Sequence, residues 1–143
     1  MSFLTPHVHI PATSCCSINF PNIYCIIHSL SNSYITAAST PADQAYGYVF
    51  NNCNLTAADG VSKVYLGRPW RDYGHTLFMN CHLGNHIRPE GWHHWKEHRQ
   101  QTARYMEYGN EGEGAGITRR VGWSRQLTKK EARKITRQTV LGF

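Results

Sequence analysis

From Tyr65 to Tyr73 the sequence reads Tyr-Leu-Gly-Arg-Pro-Trp-Arg-Asp-Tyr, and here residue type and spacing are suited to chemistry. In an extended segment residues two apart point the same way, so Arg68 and Trp70 project from one face with Pro69 between them. Proline fixes φ and donates no hydrogen bond, which stiffens that presentation and places it at a sheet edge or a bend. A guanidinium beside an indole suits a ligand with both a carboxylate and an apolar sugar face, because Arg holds the carboxylate in bidentate fashion while Trp stacks on the ring. The residue types leave a second reading open, in which Arg68 is paired with Asp72 next to a core Trp.

Two other constellations are weaker. His82 and His86, like His94 and His98, have the i, i+4 spacing that binds a metal when helical, and Cys81 is nearby. There is no His-Glu-x-x-His pattern, and the surroundings of Gly84 and Pro89 read as strand and turn, so no metal site and no cofactor are expected. Gly109, Gly112, Gly114 and Gly116 form a loop rather than a phosphate cradle, since no Lys-Ser or Lys-Thr follows them.

The elements that must position Arg68 and Trp70 are short strands. Residues 48–55 superimpose on residues 76–83 at an offset of 28, matching Phe50 to Phe78, Asn52 to Asn80, Cys53 to Cys81 and Leu55 to Leu83. Repeated short strands, each ending in an Asn-containing turn, predict a solenoid whose coils stack. In such a stack Phe50 and Phe78 form an internal aromatic ladder, and Cys53 and Cys81 align as small buried groups, with a disulfide between them permitted but not required. Beyond residue 100 the pattern changes. Thr128 followed by Glu131 fits a capping box that opens a short helix through about Ile135.

Composition bounds the rest. With 143 residues, 41% apolar and 17% charged, the chain is sized for one globular domain. Its net charge of +6, with nine His, favours a polyanionic partner. Eight of the fifteen basic residues fall after Ile117, so the excess is local. No nucleic-acid motif accompanies this charge, so neither nucleic acid nor membrane is the expected partner. Five cysteines in no regular framework argue against a disulfide-stapled miniprotein. No apolar stretch reaches the roughly 18 residues of a membrane span, and the amino terminus does not read as a signal peptide. From Met1 to Ala42 there is no Asp, Glu, Lys or Arg. Residues 1–32 are accordingly expected to be non-native sequence, from an altered start or reading frame, or disordered.

Leu66-Gly67-Arg68-Pro69-Trp70 resembles the signature of the pectin methylesterase (pectinesterase) family. Ser33-Tyr34-Ile35-Thr36-Ala37, Gly47 to Phe50, Gly91-Trp92 with Trp95, Tyr105 to Tyr108 and Val121 to Ser124 follow in the family's order, and Ser39 to Gln44 is similar to the microbial members. The resemblance covers residues 33–143. It implies an all-β fold, a right-handed single-stranded parallel β-helix, here incomplete and with a short C-terminal helix. It also implies hydrolysis of the methyl esters of polygalacturonate, carried by two aspartates, with a Gln for the oxyanion. Arg68 then corresponds to the residue that orients the nucleophilic aspartate, Trp70 to the one that packs on the sugar, and Trp95 to a residue lining the cleft. A secreted or cell-wall location follows from the family.

The departures are as informative. The family's Gln-Asp-Thr turn and its Asp-Phe-Ile-Gly type segment precede the Tyr-Ile-Thr-Ala motif, and nothing before Tyr34 resembles either. The three aspartates, Asp43, Asp59 and Asp72, stand in neither context. The chain is therefore expected to be the C-terminal part of the enzyme, inactive alone, and monomeric or prone to aggregate through an uncapped coil end. The competing expectation is a non-catalytic module that grips acidic polysaccharide through Arg68, Trp70 and the basic tail.

Overall fold

The structure is a computed structural model that describes residues 17–18, 24–27, 33–96 and 98–142. Its strands are β1 (Ser17–Ile18), β2 (Tyr24–Ile27), β3 (Tyr34–Ala38), β4 (Tyr48–Asn51), β5 (Asn54–Ala57), β6 (Tyr65–Pro69), β7 (His75–Met79), β8 (His82–Leu83), β9 (Arg104–Tyr108) and β10 (Arg125–Gln126). All pair in parallel. They form three sheets, in the orders β1-β4-β7-β9-β10, β2-β5-β8 and β3-β6. The strands β1, β2, β3 and then β4, β5, β6 visit the three sheets in succession, and β7 and β8 begin the next turn, which makes a parallel β-helix. The expectation for residues 1–32 lies outside the described residues except at β1 and β2, which pair with β4 and β5.

The 28-residue repeat is the coil. β4 and β7 pair with Phe50 opposite Phe78, and β5 and β8 with Leu55 opposite Leu83. The Phe50 and Phe78 rings stack with centroids 4.5 Å apart and planes at 7°. Asn52 (φ 58°) and Asn80 (φ 53°) take the left-handed turn that Asn tolerates better than most residues, and Asn80 donates a side-chain hydrogen bond to Asn51. Cys53 and Cys81 are buried thiols that are not joined in a disulfide. The hydrogen bond to Cys53, reinforced by burial, pushes the Cys81 thiol upward, so it stays protonated.

The aromatic ladder continues through Phe78–Trp92 (5.9 Å), Trp92–Tyr105 (4.7 Å) and Tyr105–Trp123 (5.7 Å). A second apolar layer lies elsewhere: Leu127, Ala132 and Val140 pack against Val49, Leu77 and Met79. They belong to the C-terminal segment, which carries α2 (Lys129–Ala132) and α3 (Arg137–Leu141), after α1 (Arg99–Thr102) earlier in the chain. Thr128 and Glu131 form the expected capping box, but the helix stops at Ala132 rather than Ile135. A second box, Thr136 with Thr139, opens α3, which the sequence reading did not separate because Thr at the third helical position is not the usual Glu or Gln.

Candidate functional site

Arg68 and Trp70 lie near the end of β6 and just after it. Along this strand Leu66 and Pro69 are buried while Arg68 and Trp70 reach the surface, and on the paired strand Ala38 is buried while Ala37 is exposed. Gly67 permits the close approach this requires, since a Cβ there would collide with the Thr36 hydroxyl of the neighbouring coil. The Thr36 hydroxyl in turn donates to the Leu66 carbonyl, at 2.9 Å.

The Arg68 guanidinium sits among three aromatic rings. Its Cζ is 3.7 Å from the Trp95 centroid, 4.9 Å from Tyr34 and 5.1 Å from Trp70. The structure thus brings all three residues singled out from the sequence together, and the alternative pairing does not occur. Asp72 pairs with Arg99 instead (3.4 Å), and Arg99 also donates to the Pro69 carbonyl. Arg68 Nε and Nη1 are shielded from water and have no hydrogen-bond acceptor among the described residues. Burial makes its charged form less favourable than usual. An acceptor brought to these nitrogens would thus gain a charge-assisted bond at low cost in competing water.

Trp70 and Trp95 are 38% and 43% exposed, which leaves indole surface open beside the cation. Tyr34 and His93 complete the wall. The Tyr34 hydroxyl and His93 Nδ1 are 2.7 Å apart. Burial first, then the neighbouring His94, Arg68 and Arg88, hold His93 below the ordinary imidazole range, so it is mainly neutral at pH 7. Tyr34 lies in the Ser33–Ala37 motif, which assigns it no role, and His93 stands between Trp92 and Trp95 with no sequence feature of its own. The structure brings them in from neighbouring coils, Tyr34 opposite Tyr65 and His93 next to Trp92, which bridges to Gly67.

The histidines considered as ligands do not converge. Among the described residues no three His, Cys, Asp or Glu side chains gather as a metal site would need. His82 lies 4.0 Å from Glu111, and His86 is buried.

A parallel coil bearing a shielded arginine between exposed indoles defines a β-helix protein with a cationic, aromatic-lined site on one strand. The pectinesterase family model matches residues 22–143, and the chain belongs to that family. The match begins within the segment set apart by composition. The chain is 44% identical over 100 residues to the probable pectinesterase A of Neosartorya fischeri, covering 67% of this chain and 30% of that protein. The crystal structure of pectin methylesterase from carrot aligns with a TM-score of 0.72 at 28% identity, over 82% of this chain and 40% of that one. A pectin methylesterase in complex with a hexasaccharide aligns at 0.64 and 28% identity, over 83% and 42% of the two chains. The chain spans about a third or less of the length of the curated relatives it matches, from 35% down to 15%.

Proposed function

We propose that this chain supplies the Arg68–Trp70–Trp95 wall of a site for polygalacturonate and its methyl esters, in the hydrolysis that releases methanol and free uronate. The observation that carries this is the Arg68 guanidinium, held between rings with two shielded nitrogens that lack an acceptor among the described residues. A uronate carboxylate, or the nucleophilic carboxylate that the family's arginine orients, fits those nitrogens, and the exposed indoles offer the apolar sugar face a surface. The hexasaccharide held by a related pectin methylesterase supports a sugar ligand.

Turnover needs more than this wall. Ester hydrolysis through an acyl intermediate calls for a nucleophilic carboxylate and a second group to move the proton. Asp43 and Asp59 are exposed in turns, and Asp72 is engaged with Arg99. None of the three forms an ion pair with Arg68. The 143 residues therefore bind acidic pectin without turning it over, as the binding-module reading also requires, in a secreted or cell-wall setting.

Titration calorimetry with oligogalacturonate and a methanol-release assay on methylated pectin test this together. Binding without methanol is expected, with Arg68→Ala losing about 2–3 kcal/mol of affinity and Arg68→Lys recovering little, because an ammonium cannot reproduce the planar fork. Methanol release that disappears in Arg68→Ala would instead show that the chain is complete for catalysis.

A further inference from the structure

We propose that Tyr34, Trp95 and His93 are positioning residues for Arg68: the two rings clamp the guanidinium and His93 locks Tyr34, so that the cation meets a uronate carboxylate in one fixed plane. The inference rests on the reading that Arg68 receives an acidic sugar.

Tyr34 is held on several sides. Its ring stacks on Tyr65 of the next coil, with centroids 5.4 Å apart and planes at 14°, and on His93 at 5.8 Å and 21°. Tyr65 and His93 stack on each other at 5.1 Å. The 2.7 Å hydrogen bond to His93 then fixes the far end of the phenol. A ring locked in this way cannot swing aside, and the Arg68 Cζ lies 4.9 Å from its centroid.

Trp95 approaches the cation still more closely, at 3.7 Å, and stands edge-on to Tyr34 with centroids 6.0 Å apart at 90°. Its backbone has φ 66°. The left-handed region is unfavourable for a bulky side chain, and such conformations persist where surrounding structure imposes them, often at ligand-binding sites. Trp95 is also 43% exposed, so burial of its own indole does not account for the conformation. What the conformation achieves is the placing of the indole against Arg68. Long arginine side chains lose rotamer freedom on binding an anion, and a guanidinium already clamped has less to lose.

The probe is trigalacturonic acid, titrated into the full chain at fixed salt, with far-UV circular dichroism to confirm folding. Tyr34→Leu and Trp95→Leu are each expected to weaken binding about tenfold, in line with loss of a desolvated cation–π contact. Tyr34→Phe and Trp95→Phe, which keep a ring, recover most of that loss, and His93→Leu lies between. The deciding measurement is the double variant. In an Arg68→Ala background the Tyr34 substitution has no further effect if it acts through the guanidinium, and the Trp95 substitution keeps only what its exposed indole offers the sugar directly, whereas a merely structural role leaves both effects fully additive. Should Tyr34→Leu fail to fold, Trp95→Leu combined with Arg68→Ala, expected to be less than additive, carries the cycle. Wild-type and Arg68-dependent binding that is unchanged in the leucine variants overturns the clamp alone. No binding by the wild type overturns the reading beneath it as well.

Discussion

Two arginines show opposite uses of one side chain. Arg120 is saturated: Nε and Nη2 meet the two carboxylate oxygens of Glu107 at 2.9 and 3.0 Å, and the remaining donors reach the carbonyls of Arg88, Pro89 and Gly114. Its side chain is 4% exposed and that of Glu107 is 1% exposed, and the Trp92 and Gln126 side chains also donate to Glu107. Arg68, in contrast, has two shielded nitrogens with no acceptor among the described residues. The first pattern secures the fold, and the second suits the ligand-receiving role proposed for Arg68. Removing one partner of a buried pair strands the other charge, so Arg120→Ala is expected to cost about 3–5 kcal/mol in urea unfolding. Arg68→Ala, which strands no carboxylate, should cost no more than about 1–2 kcal/mol. A reversed order in the same titration would mean that Arg68 serves the fold.

At the scale of the elements, the coils are joined by small polar seams as well as by the aromatic ladder. His75, at the start of β7, accepts the Gly47 N–H on Nδ1 at 2.9 Å, while its own N–H donates to the Thr40 hydroxyl at 3.0 Å. Burial, helped by nearby Arg104, lowers the His75 pKa from 6.5 to about 4. The folded form therefore keeps the imidazole neutral while the unfolded chain binds a proton below about pH 6.5. The stability this contributes is complete above that pH and is lost as pH falls toward 4, about 3 kcal/mol in all. His75→Asn keeps an acceptor near the Nδ1 position without the titration, so it should flatten the loss of melting temperature between pH 6.5 and 4; an unchanged pH profile would assign the effect elsewhere. Burial lowers His86 in the same direction, so some slope is retained. Seams of this kind were hidden in the sequence, whereas the coil was legible, because Phe, Asn, Cys and Leu recur at one offset in residues 48–55 and 76–83. The next coil escaped notice for a physical reason. Opposite Phe78 in β9 stands Glu107, an acid in a core position, made tolerable chiefly by Arg120 from thirteen residues further on. Gly109 (φ 61°) follows in place of an Asn turn, and Asn110 fills the site after it, accepting the Cys81 N–H at 2.9 Å. The candidate site was legible in Arg68 and Trp70, which share one strand segment. Tyr34 and His93 reach it from the coils on either side, Tyr34 through the register of β3 on β6 and His93 through the Gly67–Trp92 bridge beside it.

For the whole molecule, the positive charge and the Arg68 wall are distributed over different faces. Lys129, Lys130, Arg133, Lys134 and Arg137 are exposed on the C-terminal segment, which packs through Leu127, Ala132 and Val140 on Val49 of β4 with Leu77 and Met79 of β7. Arg68 projects from β6, in a different sheet. With the two on different sheets, a short oligosaccharide seated on Arg68 is expected to miss the basic helices, whereas a long polyuronate is expected to gain from both contacts. Exposed charges are screened within roughly 8 Å at physiological salt, while the shielded Arg68 contact is screened far less. Affinity for long polygalacturonate should therefore fall steeply as salt rises, and affinity for trigalacturonic acid only weakly. Changing Lys129, Lys130, Arg133 and Lys134 together to Gln should bring the polymer's salt dependence close to that of the trimer and leave trimer affinity within about twofold, since substitutions this exposed move stability little. Equal salt slopes for trimer and polymer in the unmodified chain would show that one contact accounts for all of the binding and that the basic segment has no part in it.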